Sequence, residues 1–143
     1  MINEFVKGIP KPQPRPRACA RNGKAYIYNA ETPAMRDWKY CIDEAMDRHG
    51  HKKLEGAFSV SLEFFMPRPR SHYRTGKFSH ILKDDAPMDH LVKGDVDNLT
   101  KTVLDQMTKA KYWKDDSQVV QLKVTKQWDD IFDAGCRIIT EVL

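Results

Sequence analysis

The sequence predicts an α+β fold, a small mixed β-sheet with two main helices packed on it, in the order β-α-β-α-β-β. Three observations carry this. GAFSVSLEFFMP alternates apolar and polar residues as a half-buried strand does, two stretches with apolar residues at helical spacing flank it, and two extended runs close the chain. The first element is a short strand within residues 1–9, ended by a proline-rich basic loop, and AYIY near residue 27 adds a brief extended piece. Thr32 then caps a helix with Pro33 at its first position, and Ala34, Trp38, Cys41, Ile42 and Ala45 recur at helical spacing until Gly50, with Trp38 a core residue. In the central strand Phe58, Val60, Leu62 and Phe64 form the buried face until Pro67 ends it. A long basic segment follows, of a length that suits a functional or mobile loop better than a mere connection. From Asn98 onward Leu99, Val103, Met107 and Ala110 make one stripe of a second helix and Lys101, Asp105 and Thr108 another. Val120, Leu122 and Val124 alternate as a strand, and CRIITEVL is the last one, expected antiparallel to it.

At 143 residues with 41% hydrophobic and 10% aromatic residues, the chain supports one core and is read as a single domain over 1–143. No apolar run approaches the roughly 20 residues of a membrane span, and the N-terminal segment lacks a leader's apolar region, so a cytoplasmic protein is expected. Cys19, Cys41 and Cys136 are odd in number and widely spaced, which indicates neither a disulfide framework nor a zinc site. The net charge of +4 is modest but unevenly placed. Residues 7–24 and 66–83 are rich in Lys and Arg and contain no acid. Interleaved with prolines and aromatics, such segments suit a nucleic-acid backbone, since cations displace condensed counterions and aromatic faces stack on bases. Solubility alone is the bland alternative.

The stretch GDVDNLTK concentrates chemistry. Asp95 and Asp97 lie two residues apart in the approach to a helix, so in extended backbone they share a side, and Lys101 follows Asp97 by one turn. A further acid pair, Asp115 and Asp116, comes after the helix. Carboxylates this close repel unless a cation, a shared proton or solvent separates them, and magnesium, which prefers oxygen ligands, is the natural resolution. A bound magnesium with a nearby lysine is equipped to act on a phosphodiester. The alternative is ordinary, with Asp97 as an N-cap and an exposed Asp–Lys pair. An EF-hand is excluded because Thr100 stands where its glycine belongs and Gln106 where its bidentate glutamate belongs. The histidines, His49, His51, His72, His80 and His90, have no zinc-motif setting and are read as surface or phosphate-contacting residues. Glu63, on the polar face of its strand, could approach the acids.

These residues resemble the RusA-type Holliday junction resolvases, a family found in bacteria mainly through phage and prophage genes. The resemblance rests on Asp95, Asp97, Asn98, Leu99 and Lys101, then Leu104, Asp105 and Lys109, then Trp113, Asp115, Asp116 and Gln118. It extends through EFFMPRP and more thinly to GIPKPQPRPR. It implies an endodeoxyribonuclease of DNA recombination and repair that binds branched DNA as a homodimer and, with Mg2+ or Mn2+, makes paired nicks in four-way junctions. Carried over by position, Asp95, Asp97 and Asp116 are the metal-binding carboxylates and Lys101 the catalytic lysine, with Asp115 the lesser member of its pair. Gly94 stands where relatives can carry Arg or Pro, which removes a possible phosphate contact. Arg15, Arg17, Arg68, Arg70 and Arg74 are the expected backbone contacts on DNA. Two rival readings are a non-catalytic DNA-binding module and a relaxed branched-DNA or flap nuclease without junction preference.

Overall fold

The computed structural model describes residues 1–14, 16–50, 53–130 and 133–143, with Asn29 described by its backbone alone. Strand β1 (Ile2–Lys7) is followed by β2 (Pro16–Arg21) and β3 (Lys24–Asn29), helix α1 (Pro33–Asp47), β4 (Phe58–Met66), α2 (Val96–Lys109), β5 (Val119–Trp128) and β6 (Gly135–Val142). The α+β class and the alternation of helices with strands are as the sequence predicts. Four strands form one sheet in the order β1-β6-β4-β5, and β2 and β3 form a separate ribbon.

One expectation is overturned. The last two strands are not neighbours, because β4 lies between them, antiparallel to β6 and parallel to β5. The reason lies in β4 itself. Phe58, Val60, Leu62 and Phe64 are fully buried, so the most apolar strand takes the centre, and a parallel β4–β5 pair then needs the crossover that α2 supplies. On β5 the expected buried alternation also fails. Val120 and Leu122 are exposed at this edge, and only Val119, Val124 and Trp128 reach the core.

The core lies between the sheet and the helices. Trp38 and Ile42 from α1, Leu99, Val103 and Met107 from α2, and Tyr112 and Trp113 after α2 pack against the apolar face of β4. Thr32 caps α1 as expected, its hydroxyl accepting from the Met35 amide at 3.3 Å. Close approach fixes Gly135, where a Cβ would sit 2.3 Å from the Val6 carbonyl oxygen on the paired strand. The separate ribbon has its own cause in the sequence. Asn22 and Gly23 have positive φ and make a two-residue turn that sets Arg21 opposite Lys24.

Candidate active site

Helix α2 is amphipathic in the way its stripes predict. Leu99, Val103 and Met107 are buried, and Lys101 and Asp105 stand on its open side. Its N-cap is Asp95 rather than Asp97, which lies in the first turn, and the Asp95 side chain makes no capping hydrogen bond. Both carboxylates are thereby left exposed at the positive end of the helix. Gly94, just before them, adopts φ +110° and is held by Lys126, whose ammonium donates to the carbonyls of Gly94 at 3.1 Å and Val92 at 3.4 Å. A side chain here would need a strained backbone, though a Cβ would meet Met66 and Leu99 only at ordinary contact.

The second acid pair is brought up to α2 by the turn that follows it. Trp113 is the anchor, buried against Phe58 and donating its indole N–H to the Thr108 hydroxyl at 2.8 Å. Gln118 then shapes the acid loop. Its side-chain oxygen accepts from the amides of Lys114 and Asp115 at 2.8 and 3.0 Å, and its amide donates to the carbonyls of Leu54 and Gly56 at 2.9 and 3.0 Å. Asp116 consequently opens a short 3-10 turn, Asp116–Gln118, facing the polar side of α2.

The Lys101 side chain reaches from α2 to that turn. Its Nζ lies 3.0 Å from Asp105 and 3.7 Å from Asp116. The hydrogen bond to Asp105, above all, holds the ammonium pKa higher than usual, so Lys101 is a fixed positive charge at neutral pH. Burial pushes the Asp116 carboxyl up, and the neighbouring Asp115 carboxyl adds to this against the attraction of Lys101. Asp115 goes the other way, held low first by the Ser117 hydroxyl, which donates at 2.9 Å, and then by Asp116. Lys101, Asp105, Thr108, Lys109, Asp115 and Asp116 line one open cavity of about 310 Å³.

Lys101 and Asp116 are thus brought together, while Asp95 and Asp97 stand at the N-terminal end of the helix. Neither has an ion pair or side-chain hydrogen bond among the described residues. Asp105, which the sequence placed only on the polar stripe, proves to be the closest partner of Lys101, and its i,i+4 spacing was the available clue. Glu63 lies elsewhere, 3.9 Å from Arg137.

The expected DNA contacts divide. Arg17 is exposed on β2, and Arg70 and Arg74 line a shared cavity of about 420 Å³ with Tyr73. Arg15 lies outside the described residues, as does His51. Arg68 is a correction. Its side chain is 1% exposed, its Nε and Nη2 donate to Asp130 at 2.6 and 2.9 Å, its Nη1 donates to the Pro87 carbonyl at 2.7 Å, and the guanidinium lies over Trp128. It is a clasp inside the loop and cannot reach a phosphate. His90 is likewise buried, against Trp128, rather than on the surface.

The α+β fold thus sets a lysine and carboxylates beside one helix. The sequence pattern of the family described as endodeoxyribonuclease RusA matches residues 7–138, and the chain belongs to that family. Family membership makes it a nuclease of the kind that acts on Holliday junctions. Among individual relatives it is similar to the uncharacterized protein YqaN of Bacillus subtilis (strain 168), 34% identical over 131 residues that cover 90% of this chain and 89% of the relative. No helix among the described residues is long and apolar enough to cross a membrane.

Proposed function

We propose that this protein resolves four-way DNA junctions by paired nicks, acting as a homodimer in the bacterial cytoplasm with magnesium, or manganese in its place. The observation that carries the reading is the reach of the Lys101 ammonium from α2 to Asp116 on the following turn, in a chain of the RusA family. Lys101, kept protonated by Asp105, is suited to offset charge building on the phosphate in the transition state rather than to take a proton. Asp95, Asp97 and Asp116 are the residues that would hold the metal. Their donor chemistry fits a hard cation, with oxygen atoms throughout and two of the three carboxylates exposed at a helix start. Among the described residues no three acids, histidines or cysteines stand close enough to form a cage, so the three carboxylates would have to draw together on the cation, with water and phosphate filling the rest of its shell. When bound, the cation supplies polarisation of a phosphoryl oxygen and a coordinated water of lowered pKa. Gln118 keeps the Asp116 turn in place for this. Arg17, Arg70 and Arg74, with Arg15, are the proposed phosphate contacts. Two symmetric cuts call for two such sites related by a twofold axis, hence the dimer.

Asp97→Asn tests the assignment. The variant should melt and bind a four-way junction as the wild type does, while cleavage in magnesium falls by at least on the order of a hundredfold. Cleavage at the wild-type rate would remove Asp97 from the site. Cutting by the wild type in EDTA as fast as in magnesium would remove the metal.

A further inference from the structure

The ribbon β2–β3 has a division of faces that the nuclease site does not account for. Residues opposite each other in an antiparallel pair share a face, and the register here pairs Arg17 with Tyr28, Cys19 with Tyr26 and Arg21 with Lys24. One face therefore carries cations and tyrosines alone, apart from Cys19. The other carries Ala18 opposite Ile27 and Ala20 opposite Ala25. Every residue of β2 is exposed, as are Tyr26 and Tyr28, so neither face of the ribbon is covered by the rest of the fold. No acid occurs between residues 5 and 30, and among the described residues Arg17, Arg21 and Lys24 have no ion-pair partner.

A two-stranded ribbon standing alone in water is marginal, because it buries too little to offset the ordering of its backbone. Such an element gains most from a partner. Here the partner must be anionic, must accept aromatic rings and must admit a ribbon. DNA meets all three conditions, since its major groove, about 12 Å wide, takes a two-stranded β-ribbon between two rows of phosphates. The stem is placed to make this useful. The Gln13 amide donates to the Asn98 carbonyl at 3.0 Å and the Thr102 hydroxyl donates to the Gln13 side chain at 3.4 Å, which fastens the strap before β2 to α2, the helix of Asp97 and Lys101.

We propose that β2–β3 is a DNA-groove arm, with Arg17, Arg21 and Lys24 on phosphates and Tyr26 and Tyr28 against sugars and bases, anchored so that the duplex it grips runs past the acid corner. The inference rests on the nuclease reading only for its partner, and binding and cutting separate the two. The test uses the full chain in EDTA with a synthetic four-way junction and a linear duplex of the same arm sequence. Replacing Arg17, Arg21 and Lys24 together by Ala should weaken junction binding at least tenfold and make the dependence of log K on log salt shallower by roughly 3. The melting temperature should stay unchanged, because the side chains are exposed. Arg17→Lys with Arg21→Lys should restore most of the affinity. In the wild type, bound junction should shield Cys19, which is exposed on this face, from alkylation by N-ethylmaleimide, as read by peptide mass. Unchanged affinity and salt slope in the triple variant, or Cys19 alkylated as fast with DNA as without, would overturn the arm and leave the nuclease reading intact wherever the wild type still cuts. A wild type that neither binds nor cuts any DNA would overturn both.

Discussion

Two acid-free, proline-bearing, basic segments, residues 7–24 and 66–83, look alike in composition and end in opposite states. The first becomes a strap and an exposed ribbon in which Arg17, Arg21 and Lys24 have no ion-pair partner among the described residues, with Lys7 at its start reaching Asp133 at 3.3 Å. The second folds back on itself, with single 3-10 turns at Arg70–His72 and Gly76–Phe78 and a bridge between Tyr73 and Leu82, around an arginine that is fully enclosed. The difference comes from an acid distant in sequence. Asp130 reaches Arg68 across 62 positions and takes two of its donors. Local charge counts cations, whereas the fold decides which of them are spent internally.

Arg68→Ala is the largest test of this contrast. It removes two charge-assisted hydrogen bonds to Asp130, which stays hydrated, and the bond to the Pro87 carbonyl, so a loss of about 1 to 3 kcal/mol in urea denaturation is expected. Binding of DNA by the remaining folded protein should keep its salt slope. A lower slope with unchanged stability would return Arg68 to the DNA-facing set. The same pair has a pH signature. The hydrogen bond from Arg68, foremost, holds the Asp130 carboxyl below its usual range. Its stabilisation is therefore complete above the ordinary aspartate pKa and lost as pH falls through the lowered native value. The stability gap between wild type and Arg68→Ala should accordingly narrow in acid melts, and a gap that widens there would contradict the ion pair.

Gln118→Ala asks whether the acid turn is positioned or merely tolerated. Four hydrogen bonds to main chain are lost. A loss of about 1 to 2 kcal/mol is expected, with kcat falling and junction affinity retained. Full kcat would mean that the turn holds without it. Arg74→Ala is the smallest change. Its partner Asp84 is almost fully exposed, so stability should move by less than about 0.5 kcal/mol, while the salt slope of DNA binding drops by about 1.

What could be read from the sequence follows from how local each feature is. Thr32 and Pro33 open α1, and the alternation over β4 together with the Leu99, Val103 and Met107 stripe carries its own period. Asp95 lies in extended backbone just before α2 and Lys101 within it, as their spacing predicts. Strand order was not legible, because β5 and β6 are equally compatible with pairing each other or pairing β4, and only the burial of β4 from both edges decides it. The burial of Arg68 and His90 depends on Asp130 and Trp128 arriving from the far end of the chain. The ribbon has a local signature, Asn22-Gly23 between extended runs, which marks a hairpin that AYIY by itself does not disclose.

The most direct test of the central claim is cleavage of an end-labelled synthetic four-way junction by the wild-type protein in magnesium, beside linear duplex and single strand, with each strand labelled in turn. Paired nicks in two strands of like polarity, in the junction alone, are the predicted result. Equal cutting of all three substrates, or binding without any nick, would contradict it.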